Sequence, residues 1–171
     1  AYVLHSSVQA GYDFHKVEDG DRLELGNVHL SVWHTPGHTP EHLTLLVTDH
    51  TRSSEPWFVL TGHALMVADM GRTELASSAE AGAEALFTSA QRLKTLPDFV
   101  EVYPGAFSGS VCGRGLSGKP VSTIGFEKRF NKAFCVSDKN EFISLMVKDI
   151  PPRPEDFETI RATILGALVH S

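Results

Sequence analysis

Cysteine is scarce in this chain, and positive charge is scarcer than negative. Two cysteines in 171 residues, Cys112 and Cys135, are too few for a disulfide scaffold and lack the spacing of a zinc knuckle, so both are expected as thiols. Lys and Arg number 15 against 21 Asp and Glu, a formal net charge of −6. They form no runs, which excludes the electrostatic footprint of a nucleic-acid binder. No apolar stretch approaches the roughly 20 residues needed to cross a bilayer. The opening AYVLHSSVQAG lacks the charged region, apolar core and cleavage site of a secretory signal, so a cytoplasmic protein is the expectation. With 42% hydrophobic and 21% charged residues the composition is that of a globular protein. The length fits one domain over residues 1–171.

Histidine is what the chain has in unusual number, nine in all. Three of them fall in the nine-residue stretch HTPGHTPEH, His34 to His42. Pro36 and Pro40 each fix their own φ near −65° and push the preceding residue away from the helical region, so the segment is a stiff loop. Gly37 precedes His38 and allows a backbone angle closed to other residues, which makes His38 the leading candidate metal ligand of the three. His34 and His42 are expected to be supporting or structural. His5, His15, His29, His50 and His170 lie outside any motif.

The first third reads as strands and turns. RLELG and VHLSVW alternate apolar and polar residues between EDGD and GN, the pattern of a half-buried antiparallel hairpin. LTLLVTD and PWFVLTG follow as more continuously apolar strands. SSAEAGAEALFTSAQRLKTLPD is a helix by pattern: Leu86, Ala90 and Leu93 share a face, Ser77 or Ser78 can cap it, and Pro97 lies just past its end. FVEVYPG reads as a strand, and AFSGSVCGRGLSGKP as a long glycine- and serine-rich loop. STIGFEKRFN and NEFISLMVKDI read as helices. PEDFETIRATILGALV reads as a last helix with Pro154 as its first residue. Strands followed by helices point to α/β layers.

Three ordered segments, HTPGHTP, LTGHALMVADMGRTEL and VYPGAFSGSVCGRGLSGKPVSTIGFEKRFN, resemble the later part of metallo-β-lactamase-fold proteins. The nearest branch is the persulfide dioxygenase and glyoxalase II-like group, with its TPGHTPG, TGD-L-GD-GR-DL, PGHG-GS-CG and STIG-E-N motifs. The resemblance implies an αββα sandwich of two sheets flanked by helices, with metal bound at one edge. His38 takes the place of the metal-binding histidine of TPGHT.

The chain departs from that pattern at the other ligand positions. It has no HxHxDH motif, so the expected domain lacks its N-terminal portion. His63 stands where the family has the Asp of TGD, and Ala106 where it often has the His of PGHG. A neutral imidazole offers one lone pair and cannot bridge two ions as a carboxylate can, while alanine offers none, so a binuclear hydrolase site is not expected. The mononuclear iron of the dioxygenase branch implies a different set: His38, His63 and a histidine from upstream around one Fe(II), or Zn(II). With only two of the three in this chain, binding is expected to be weak.

By the same resemblance the substrate is a small thiol or persulfide. Arg72 and Glu74 occupy the GR-D positions, where the arginine either pairs with a buried carboxylate or orients a substrate carboxylate. Cys112, in its glycine-rich loop, is a candidate nucleophile or a small packed residue. Lys128, Arg129 and Lys132 form a solvated helix face or the mouth of an anionic pocket.

Two functions stand against each other. One is a metal-dependent enzyme, a persulfide dioxygenase or, alternatively, a glyoxalase II-like thioester hydrolase. The other is a catalytically degenerate binding or assembly module of the same fold, whose exposed apolar sheet face is covered by a second copy or by a missing N-terminal segment.

Overall fold

The computed structural model describes residues 2–75, 78–108, 110, 116–148, 150 and 155–166. Strands β1 (Tyr2–His5) and β2 (Phe14–Val17) pair in parallel as a small two-stranded sheet. A six-stranded sheet follows in the order β3 (Arg22–Leu25), β4 (Val28–His34), β5 (Leu43–Asp49), β6 (Phe58–Gly62), β7 (Glu101–Pro104) and β8 (Ser122–Thr123). β3 to β6 run antiparallel to their neighbours, joined by short turns such as Gly26–Asn27. β6 and β7 are parallel. A parallel pair needs a crossover, and α1 (Ala79–Leu93) lies within that connection.

α1 forms where the sequence pattern expects it. Ser78 is the N-cap, its side chain accepting from the Ala81 N–H at 3.1 Å. Ser77, the alternative cap, lies outside the described residues. Leu86, Ala90 and Leu93 are all buried, in one cluster with Leu46, Val59 and Val102. Those three residues are register partners across β5, β6 and β7, so a single sheet face meets the helix layer. α3 (Lys139–Val147) packs beside α1 through Phe87 and Phe142, whose ring centroids lie 5.4 Å apart.

One residue along each strand the sheet turns its other face. Leu45, Leu60 and Tyr103 are partners there, and Val47 pairs with Phe58. Leu60 and Tyr103 are each 38% exposed.

The sequence reading and the structure differ in three places. STIGFEKRFN is not one helix: Ser122 and Thr123 pair with β7, and α2 (Ile124–Phe130) starts after them. Thr123 supplies the cap that stops the strand, its hydroxyl accepting from the Phe126 N–H at 3.1 Å. β2 has no strong alternation and was not expected. The last helix, α4, spans Phe157–Ile164 and ends before Gly166, whose φ is +82°; Pro154 lies outside the described residues. Among the described residues no helix is long and apolar enough to cross a membrane.

Candidate metal centre

The HTPGHTPEH loop leaves β4 and returns to β5 in a tight span closed by the Thr35 N–H donating to the His42 carbonyl at 2.9 Å. It lies flat on α1: the Ser89 hydroxyl donates to the Pro36 carbonyl at 2.7 Å. Gly37 has φ +146°, and a Cβ there would sit 2.4 Å from that of Leu86. Only glycine permits this approach, and it turns His38 inward to 6% exposure.

His38 Nδ1 lies 2.9 Å from the Arg72 carbonyl. A carbonyl only accepts, so Nδ1 carries the proton and Nε2 keeps its lone pair. His63 Nδ1 is 2.9 Å from that Nε2 and donates to it when no ion intervenes. Anchoring one ring nitrogen on a carbonyl while presenting the other is the usual posture of a ligating histidine. Two nitrogens this close can share one ion at the usual metal–nitrogen distance of about 2.0–2.1 Å.

His63 is placed by His42. Its backbone N–H donates to His42 Nε2 at 3.0 Å, which leaves His42 Nδ1 to donate to the Thr35 hydroxyl at 2.9 Å. Both nitrogens of His42 are thus occupied within the protein and it cannot ligate. His34 is likewise structural, with Nε2 2.7 Å from the Pro40 carbonyl and its ring stacked on His5 at 4.1 Å.

Burial, partly offset by the hydrogen bond to the Arg72 carbonyl, lowers His38 to about 4. Burial, with His38 and His63 close by, lowers His42 to about 3. His38 therefore stays neutral through the physiological range, the state in which an imidazole binds metal.

Two ring nitrogens stand together here, fewer than the three donors protein metal sites ordinarily use. Among the described residues no group of three or more His, Cys, Asp or Glu can hold a metal ion. Gly105 packs against the His63 ring, where a Cβ would meet Cδ2 at 3.0 Å; the next residue, Ala106, is buried and brings no donor. His38 and His63 fit a metal, and the remaining positions are not filled by described side chains.

Arg72 is 6% exposed and its side chain pairs with Glu74, the buried-carboxylate alternative. Its direct service to the site is through its carbonyl. Cys112 lies outside the described residues.

The sequence reading missed a second polar cluster beneath the site. Glu127 on α2 is fully buried and accepts from the Ser122 hydroxyl at 2.5 Å, the Ala68 N–H at 3.0 Å and Asn131 Nδ2 at 2.8 Å. Asn131 Nδ2 also reaches the carbonyls of Met66, at 3.3 Å, and Asp69, at 3.0 Å. These residues are the Ser, Glu and Asn of STIGFEKRFN. The signal for them was that motif, in which Glu127 and Asn131 stand one helical turn apart behind Ser122.

The chain resembles known proteins at both the sequence and the structure level. It is 31% identical over 147 residues to the mitochondrial persulfide dioxygenase ETHE1 of Bos taurus, a match spanning 85% of this chain and 50% of that protein. A metallo-β-lactamase structure from Staphylococcus aureus subsp. aureus COL superposes with a TM-score of 0.83 at 36% identity, covering 89% of this chain and 44% of that one. ETHE1 from Myxococcus xanthus gives 0.75 at 31% identity, covering 94% and 64%. No family model matches the chain.

With this fold and these motifs, the chain belongs to the metallo-β-lactamase-fold superfamily. Within it, the chain falls in the branch of persulfide dioxygenases and glyoxalase II-like proteins. It spans about half the length of the curated relatives it matches.

Proposed function

We propose that this chain serves a metal-dependent enzyme of the persulfide dioxygenase kind acting on a small thiol persulfide, with His38 and His63 as two ligands of a single Fe(II), or of Zn(II) in its place. The observation that carries the reading is the 2.9 Å approach of His63 Nδ1 to His38 Nε2, with His38 anchored on the Arg72 carbonyl. Bound iron supplies open positions for oxygen and a sulfur ligand. The chain's own residues hold two imidazoles neutral and aimed together: His42 fixes His63, and Arg72 positions His38 through its carbonyl. Arg72 reaches a substrate only by leaving Glu74, so this reading gives it a positioning role. A glyoxalase II-like thioester hydrolase is the alternative within the branch.

Metal analysis of the chain purified from iron-supplemented medium tests this. Iron or zinc is expected to copurify and to fall several-fold in the His38→Ala/His63→Ala variant. Equal metal in the two proteins would overturn the assignment.

A second reading, a binding or assembly module, is favoured by the apolar face of Leu45, Phe58, Leu60 and Tyr103. That face calls for a covering partner.

A further inference from the structure

α4 carries Phe157, Ile160 and Ile164 at i, i+3 and i+7, one apolar stripe. Such a stripe ordinarily fills a core, yet no residue of α4 is buried, and Ile160 and Ile164 are 45% and 63% exposed. The helix is tied down at its C-terminal end instead. Tyr12 Oη donates to the Ile164 carbonyl at 3.0 Å, and the Gly11 N–H donates to that of Leu165 at 2.7 Å. The stripe borders a cavity of about 200 Å³ whose opposite wall includes Pro40 and Leu75.

Those wall residues belong to the loops that build the histidine pair. Pro40 lies two residues after His38, and Leu75 three after Arg72. The volume limits the occupant. An apolar cavity of about 150 Å³ takes a benzene ring, whereas sites for drug-sized ligands start near 300 Å³. A body of about six carbons fills it, with one side left toward solvent.

Charge sets the rest. Arg161 also lines this cavity, along with a neighbouring one of about 450 Å³ on the other side of α4. Among the described residues it makes no ion pair. A guanidinium beside an apolar pocket suits a carboxylate. Glu41 lines the loop side and confines that recognition to the helix side.

We propose that the cavity between α4 and the His38 loop binds a small amphipathic carboxylate, its apolar body of about six carbons against Pro40, Leu75, Ile160 and Ile164 and its carboxylate on Arg161. That this ligand is the organic part of the thiol substrate rests on the enzyme reading above; the binding itself does not.

The test uses the metal-free full chain and three probes, hexanoate, hexanol and hexylamine, with affinities followed by NMR titration. Hexanoate is expected to bind best. Arg161→Gln should weaken it about tenfold, the loss of one charged hydrogen-bonding partner, and leave hexanol within about twofold. Ile160→Trp, which fills the cavity from an exposed position, should abolish binding of both without lowering the thermal midpoint. Preference for hexylamine, unchanged hexanoate binding in Ile160→Trp, or no saturable binding of any probe would overturn the proposal. Metal content of the chain as purified, before metal removal, reports on the histidine pair alone and should not change in Ile160→Trp.

Discussion

His38 and His42 sit in the fold as neutral imidazoles, and their neutrality links stability to pH. Burial sets their folded values at about 4 and about 3, whereas an unfolded histidine titrates near 6.5. As pH falls below about 6.5 the unfolded chain takes up these protons first. The contribution to stability is therefore whole above that pH and is lost progressively as pH falls through the folded values. The metal-free chain should show its urea midpoint dropping between pH 7 and pH 4, and His42→Gln should flatten that slope. A flat profile in the parent chain would contradict the buried, neutral geometry. At the same scale Gly62 shows how tightly the pair is built: its φ is +50°, and a Cβ would stand 2.5 Å from His42 Nε2.

Among elements, α2 does the work of holding the loop that carries His63. Through Glu127 and Asn131 it clamps the segment from Met66 to Asp69, which includes Ala68 at φ +74°, a backbone angle that costs a non-glycine residue about 1–2 kcal/mol. The clamp keeps that conformation in place. Replacing Glu127 by Ala leaves the buried Ser122 hydroxyl and the Ala68 N–H without their acceptor, while Asn131 keeps the Met66 and Asp69 carbonyls. Each unsatisfied group costs about 1–3 kcal/mol, so Glu127→Ala should lower unfolding stability by roughly 2 kcal/mol or more in urea titration. A loss under about 1 kcal/mol would mean that the cluster is not what holds the loop. The helices themselves were legible in sequence because apolar spacing and caps are local. This clamp was not, because its partners lie about 60 positions apart.

For the whole molecule, the sheet presents one face to the helices and leaves Leu60 and Tyr103 on the other face half-covered. An apolar surface of this kind drives association in water. Sedimentation is expected to show self-association that weakens in Leu60→Lys, a change on an exposed strand position with no cost to the helix-side core. A monomer at high concentration would instead speak for a face that needs no partner.

By themselves the residues determined the layering, the long helix, the stiff turn ahead of β5 and the motif order that places the chain in its superfamily. All of these depend on neighbours a few positions away, where proline, glycine and apolar period act directly. Gly37 and the motif order already singled out His38 and His63; tertiary structure decided how the two rings meet. His34 and His42 differ from His38 by four residues each way and share its loop, yet His38 is the one that turns a ring nitrogen to the His63 ring, while His42 takes the His63 backbone N–H, because Gly37 lies on α1 and the Arg72 carbonyl claims Nδ1. It also opened the cavity under α4. Such choices are made by contacts between distant segments, and no local pattern encodes them.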